Sequence, residues 1–159
     1  MIERTLVVIK PDGVQRKLVG KITARFEDIG LKIVGMKMIW LDRDFSKKHY
    51  AAHVKKPFYK YLEDFIVAGP VVAMVLEGVH AVDTVRKHTG ATEPFAAAPG
   101  TIRGDYAHHS YKHSDKKKIA VKNIIHASET SADAKKEISL WFPEKELHSY
   151  KTTDENHVF

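Results

Sequence analysis

Apolar and polar positions divide the chain into four extended segments with helical ones between them. Leu6-Val7-Val8-Ile9 is a short, largely β-branched run, and it predicts a strand from Arg4 to Lys10. Pro11-Asp12-Gly13 ends that strand, because proline cannot donate to a ladder and glycine permits a tight turn. Leu18, Ile22, Phe26 and Ile29 recur at helical spacing, with Gly30 where a C-cap belongs. Leu31 to Trp40 reads as a second strand, and Asp44 as the N-cap of a short helix bearing His49, Tyr50 and His53. After Pro57 another apolar helix carries Phe58, Tyr61, Leu62 and Phe65 and closes near Gly69. The unbroken apolarity of Val71 to Leu76 is that of a strand buried on both faces. His80 to Thr89 predicts a helix followed by Gly90, and Ala91 to Tyr106, punctuated by Pro94, Pro99-Gly100 and Gly104, an ordered loop. Ile124 and Ile125 make the fourth strand. Ser131 N-caps the last main helix, which Pro143 stops after Phe142, and Glu144 to Tyr150 adds a short turn. One sheet with helices packed on it follows from this order, an α+β sandwich. No repeat, second core or long linker divides the chain, so a single domain over 1–159 is expected.

With 159 residues there is enough chain to bury a sizeable core. No apolar run approaches the roughly 20 residues a membrane span needs, and Met1-Ile2-Glu3-Arg4-Thr5 has no secretory character. The absence of cysteine removes disulfides and thiolate chemistry and suits a cytoplasmic setting. A net charge of +6 raises nucleic acid as a partner, so its location matters. Five lysines (112, 116, 117, 118 and 122) against one acid, Asp115, sit between Ala107 and Lys122. The excess is therefore mostly one local patch, and surface lysine runs are ordinarily just solvated. Nucleic acid is the lesser alternative.

Asn123-Ile124-Ile125-His126-Ala127-Ser128 is the stretch with chemistry in it. Two isoleucines drive a buried strand that delivers a histidine to its end, close to a helix start carrying Glu137. A neutral imidazole attacks electrophiles at neutral pH, and a carboxylate orients it and stabilises its charged form. Taken alone, one such histidine is more often an ordinary core or surface residue. Arg86, Arg103 and Lys10 suit phosphate oxygens, the guanidinium as a planar pair of donors and the ammonium as a compact charge. Asn123 can hydrogen-bond a sugar hydroxyl and Phe58 can offer an aromatic face to a base. Neither a Walker-type glycine loop nor a dinucleotide fingerprint is present.

The sequence resembles the nucleoside diphosphate kinase family from Arg4 to about Tyr150. The resemblance is carried by Ile9-Lys10-Pro11-Asp12-Gly13-Val14-Gln15-Arg16, His49-Tyr50, Pro57-Phe58, Gly69-Pro70-Val71-Val72, Pro99-Gly100-Thr101-Ile102-Arg103-Gly104-Asp105, Asn123 to Ser128, and Glu137-Ile138-Ser139-Leu140-Trp141-Phe142. It implies a ferredoxin-like βαββαβ sandwich with an antiparallel four-stranded sheet. It also implies ping-pong transfer of the γ-phosphate of a nucleoside triphosphate to a nucleoside diphosphate through a phosphohistidine. Matched residue by residue, His126 is the nucleophile, Glu137 orients it, and Ser128 and Tyr50 lie beside the site. Lys10 reaches the ribose hydroxyl and phosphate region, and Asn123 the ribose. Arg86, Thr92 and Arg103 bind phosphates, Phe58 stacks on the base, and Leu62 lines the same slot. Mg²⁺ is implied as a cofactor riding on the nucleotide phosphates, with no protein metal ligand. Hexamers or tetramers built from one dimer type are implied as well.

The block from about 107 to 122 exceeds the family pattern by about ten residues and lies between two parts of the site, ending just before Asn123 and including the base-slot candidate Val121. His108, His109 and His113 lack a fourth ligand and the spacing of a tetrahedral metal site. The mixed Tyr/His/Lys composition suggests a hairpin extension reaching a neighbouring subunit. His49, His53, His80, His88, His148 and His157 receive no role. The rival reading is a non-catalytic binding protein of the same fold whose basic loop holds nucleic acid.

Overall fold

Val71 to Leu76, apolar without interruption, lies in a central strand of the sheet, where both faces need apolar side chains. The structure, a computed structural model, describes residues 1–159. Strands β1 (Ile2–Ile9), β2 (Lys32–Trp40), β3 (Pro70–Val79) and β4 (Ile125–Ala127) form one sheet in the order β2-β3-β1-β4, with every neighbour antiparallel. Helices α1 (Pro11–Gln15) and α2 (Val19–Glu27) join β1 to β2, and α3 (Arg43–His49) and α4 (Tyr59–Ile66) join β2 to β3. The connection from β3 to β4 holds α5 (Ala81–Thr89), α6 (Ile102–Tyr106) and α7 (Tyr111–Lys117), and α8 (Ser131–Trp141) and α9 (Glu155–Val158) follow β4. This is the expected ferredoxin-like α+β sandwich. No helix is long and apolar enough to cross a membrane.

The period of two along the strands divides the core. Val7 and Ile9 of β1 join Val72, Met74 and Leu76 of β3 beneath Ile22, Phe26 and Val85. Leu6 and Val8 face the other way, with Val71, Ala73 and Val75, and pack against Tyr50, Ile66, Ile138 and Trp141. Fully burying one such Leu, Ile or Phe side chain stabilises the fold by about 1.5–3 kcal/mol, so both layers bind their helices to the same sheet.

Several local expectations are corrected. Asp42, not Asp44, caps α3 by accepting the Phe45 N–H at 2.7 Å, and Asp44 sits in the first turn where its charge favours the helix dipole. Thr130, not Ser131, caps α8: its hydroxyl accepts from Asp133 N at 3.1 Å, while Ser131 donates to Glu3 at 2.8 Å. The turn after β1 winds into α1, with Pro11 in the first turn, where its missing N–H costs nothing. The stretch 91–106 contains a 3₁₀ turn at Pro94–Ala96 and α6, capped by Thr101, so its prolines and glycines separate short helices. The 107–122 block contains a helix where a hairpin was expected. Ser110 caps α7 by accepting from His113 N at 3.2 Å, and Lys118 ends it with φ 53°. Beyond Tyr150, α9 returns to the sheet. Lys32, 8% exposed, donates to Glu155 at 2.8 Å and to the Tyr150 carbonyl at 2.9 Å and pairs with Glu77 at 3.0 Å.

Candidate active site

The candidate site forms where β1 ends and β4 begins. His126 pairs with Val8 across the ladder and Ile125 with Ile9, which places the residues before β4 against the start of α1. Ile124 adopts φ 70°, a conformation a β-branched residue avoids at a cost on the order of 1–3 kcal/mol. It is held there from both sides. Lys10 N–H donates to the Ile124 carbonyl at 2.7 Å, and Ile124 N–H donates to the Asp12 carboxylate at 3.1 Å. Gly13 makes the approach feasible, because a Cβ there would lie 2.7 Å from Ile9 Cγ2 and 3.1 Å from Ile124 Cγ2. The Lys10-Pro11-Asp12-Gly13 block thus shapes the strand that carries His126.

His126 faces a cavity of about 1330 Å³, and one of its ring nitrogens is committed. Nε2 lies 3.0 and 3.1 Å from the two Glu137 oxygens. An ionised carboxylate only accepts, so Nε2 carries the proton and Nδ1 keeps its lone pair. Glu137 is fixed in turn by Ser128, whose hydroxyl donates to it at 2.6 Å and accepts the Leu6 N–H at 3.2 Å. Ser128 is completely buried, so it acts from behind the carboxylate and does not line the cavity.

The predicted cations converge on the same floor. Lys10 donates to Asn123 Oδ1 at 2.7 Å, and Asn123 Nδ2 donates to the Thr92 carbonyl at 3.0 Å. Arg103 spends three donors on backbone carbonyls, those of Asn123 (3.1 Å), Gly90 (3.0 Å) and Ile125 (2.6 Å). Burial, and then the nearby Arg103 charge, lowers Lys10 to about 8, against an opposing pull from Asp12. Burial lowers Arg103 to about 10; Tyr111 opposes the shift and Arg86 adds to it. The floor therefore holds cations short of counter-charge, and anionic oxygens would relieve them. Arg86 and Thr92 reach the cavity from exposed positions on α5 and the loop after it, while Phe58, Leu62 and Tyr50 line it from the α3–α4 side. Tyr50 is buried, and burial followed by the Glu137 charge raises its phenol far above the ordinary range, so it stays protonated.

Ten of the eleven residues singled out in the sequence line this one cavity, and Ser128 stands behind it. Two histidines that received no role are there too. The His49 ring lies 4.6 Å from that of His126, edge to face, and the His53 ring 5.7 Å from that of Phe58. Burial, and then the proximity of His126 and Lys10, holds His49 well below the usual imidazole range. A signal for His49 did exist: Phe45 precedes it by four residues, which puts both on one helix face, against Trp141. Residues of the 107–122 block, among them Tyr111, Asp115, Lys118 and Val121, also line the cavity. Of these, the sequence singles out only Val121, as a base-slot candidate.

An imidazole tethered by a carboxylate, on the floor of a cation-lined cleft in a ferredoxin-like sheet, defines a phosphotransfer protein that handles anionic substrates. The family model for nucleoside diphosphate kinase matches residues 3–147. A nucleoside diphosphate kinase of Pyrococcus horikoshii is 57% identical over 93% of this chain and 90% of its own, and one of Archaeoglobus fulgidus 47% over 99% and 98%. Among solved structures, the Borrelia burgdorferi enzyme with bound vanadate and ADP, a transition-state mimic, superposes with a TM-score of 0.95 at 44% identity, covering 99% of this chain and 96% of that one. The Halobacterium salinarum enzyme in complex with CDP gives 0.90 at 43% identity, covering 100% and 99%. The chain belongs to the nucleoside diphosphate kinase family and is a phosphotransferase.

Proposed function

We propose that His126 carries the phosphoryl group in a two-step exchange between nucleotides. Its Nδ1 lone pair attacks the γ-phosphorus of a nucleoside triphosphate, and the bond to the β–γ bridging oxygen breaks. The nucleoside diphosphate leaves with that electron pair. A second nucleoside diphosphate then attacks the phosphohistidine through a terminal β-phosphate oxygen, the N–P bond breaks, and Nδ1 regains its lone pair. Splitting the transfer lets one pocket serve donor and acceptor in turn. The supporting observation is the Nε2–Glu137 contact at 3.0 Å, which leaves Nδ1 as the free nitrogen and stabilises positive charge as the N–P bond forms.

Transfer of this kind depends chiefly on in-line positioning and on stabilising negative charge. In this reading Arg86, Thr92 and Arg103 bind phosphates, Lys10 spans phosphate and ribose, and Asn123 binds the ribose. Tyr50 donates its protonated hydroxyl beside the reacting group. Phe58 stacks on the base with Leu62 alongside it. A π-face is common to every base, so discrimination among bases is weak. Mg²⁺ belongs to this reading as an ion carried by the nucleotide phosphates, where it neutralises charge. The fit is to a phosphate-held ion, because Glu137, the carboxylate on the floor, is already bound by His126 and Ser128.

The chain is read as one catalytic domain over 1–159 that includes the 107–122 block, acting in the cytoplasm on free nucleotides, with nucleic acid the less favoured partner. A homo-oligomer built from dimers, a hexamer or a tetramer, completes it. Edge strand β2 presents Met36, Met38 and Trp40 at 46, 59 and 68% exposure, an apolar stripe on an unpaired edge. Incubation with γ-labelled ATP is expected to yield an acid-labile phosphoenzyme that His126→Ala cannot form, and light scattering a mass of four or six chains. An unlabelled wild-type protein would leave the non-catalytic binding reading standing.

A further inference from the structure

His49 is held in a way that the transfer chemistry does not require. The indole N–H of Trp141 can only donate, and it lies 3.0 Å from His49 Nδ1. Nδ1 therefore presents a lone pair, and in the neutral ring the proton sits on Nε2. That Nε2 is buried and has no hydrogen-bond partner. The same ring belongs to a triplet: one nitrogen of His49, one of His126 and one oxygen of Glu137 lie within 4.8 Å of one another. Two imidazoles and a carboxylate are the donor set of a three-ligand zinc site with its fourth position open. A ring nitrogen binds metal only through a free lone pair. In His49 one nitrogen is engaged by the indole and the other by its own proton.

We propose that Trp141 is a tautomer lock: by holding His49 in its Nε2–H form, it prevents the His49–His126–Glu137 triplet from closing on a divalent transition metal. Zinc and copper bind imidazole sites far more tightly than magnesium does. An ion seated in the triplet would take Glu137 from His126 and occupy the site where phosphate arrives. Helix α8 supplies both the carboxylate that completes the donor set and, four residues later on the same face, the indole that disarms it. Trp141 is 2% exposed and wedged edge-on against Phe45 at 4.9 Å and His49 at 5.2 Å, so the donor has little freedom to turn away. The benefit to catalysis rests on His126 being the nucleophile; the lock itself does not.

The test reads tautomer and metal directly. In wild-type protein labelled with ¹⁵N-histidine, long-range ¹H–¹⁵N correlation at pH 7.5 is expected to show His49 as Nε2–H, with its signals unmoved by equimolar Zn²⁺. Trp141→Phe keeps an aromatic ring but loses the donor. It is expected to bind Co²⁺ at least tenfold more tightly than wild type, with the visible absorption of a tetrahedral site, and His49→Gln in that background should abolish the gain. An Nδ1–H tautomer, joint movement of the His49 and His126 signals with Zn²⁺, or equal Co²⁺ affinity in wild type and Trp141→Phe would overturn the proposal. If Trp141→Phe does not fold, the wild-type spectra alone decide. A failed phosphoenzyme assay would remove His126 as nucleophile and leave these readouts intact, so the two readings fail separately.

Discussion

At the inner end of the cavity Lys10, Asn123 and Arg103 are braced by hydrogen bonds to one another and to the backbone of Gly90, Thr92, Asn123 and Ile125, and Glu137 is braced by His126 and Ser128. At the outer end Phe58 is 47% exposed, and α7 and its flanks are held by a few bonds: Tyr111 N donates to Glu93 at 2.8 Å, Ser114 Oγ lies 3.2 Å from His109 Nδ1, and Lys122 N donates to His109 at 3.1 Å. On the proposed function only the inner end must place reacting atoms to within a fraction of an ångström, and there rigid preorganisation would lower the barrier. On the same proposal the outer end accepts any base. A loosely held aromatic face suits that task.

Removing a brace from the inner end should have the largest effect. Arg103→Ala removes a donor from three carbonyls and a buried cation from the floor, so kcat is expected to fall on the order of 10²–10³-fold. A loss of about 3 kcal/mol in unfolding free energy should accompany it. Steady-state kinetics and denaturant melts check both, and a change confined to KM would mean the floor is not the preorganised half. Next in size is the response to alkali. The Lys10 ammonium loses its proton as pH rises through about 8, so kcat/KM should decline above that value. A pH–rate profile of Lys10→Gln should be lower and flat across the same range, and a surviving alkaline limb would assign the decline to another group.

At the mouth, effects should appear in binding. Phe58→Ala is expected to raise KM roughly tenfold for purine and pyrimidine nucleotides alike, with kcat nearly unchanged. Strong selectivity for one base would show instead that the α7 wall reads base edges. The smallest effect is expected from Tyr111→Ala on α7, within about twofold in kcat and about 0.5 kcal/mol in stability, because the residue is nearly half exposed. A large loss of kcat there would erase the contrast between the two ends.

Much of this was legible in the chain. The strand cores were plain because alternating or unbroken apolar runs are dictated by which faces the sheet buries. Helix ends were less so: Asp42 and Asp44, or Thr130 and Ser131, are chemically near-equivalent caps, and the choice depends on where tertiary packing begins the helix. The helix α7 arises from a Ser110 cap inside a polar stretch with no apolar period to announce it.

The residue types proposed to handle phosphate, and their order along the polypeptide, were legible in the linear chain as Lys10, Arg103, Asn123, His126 and Glu137. What only folding decided is which atom each presents. His126 offers Nδ1 because Glu137 holds Nε2, and His49 keeps its proton on Nε2 because Trp141 occupies Nδ1. Protonation and direction are set by partners distant in sequence and close in space, so composition and spacing could not specify them.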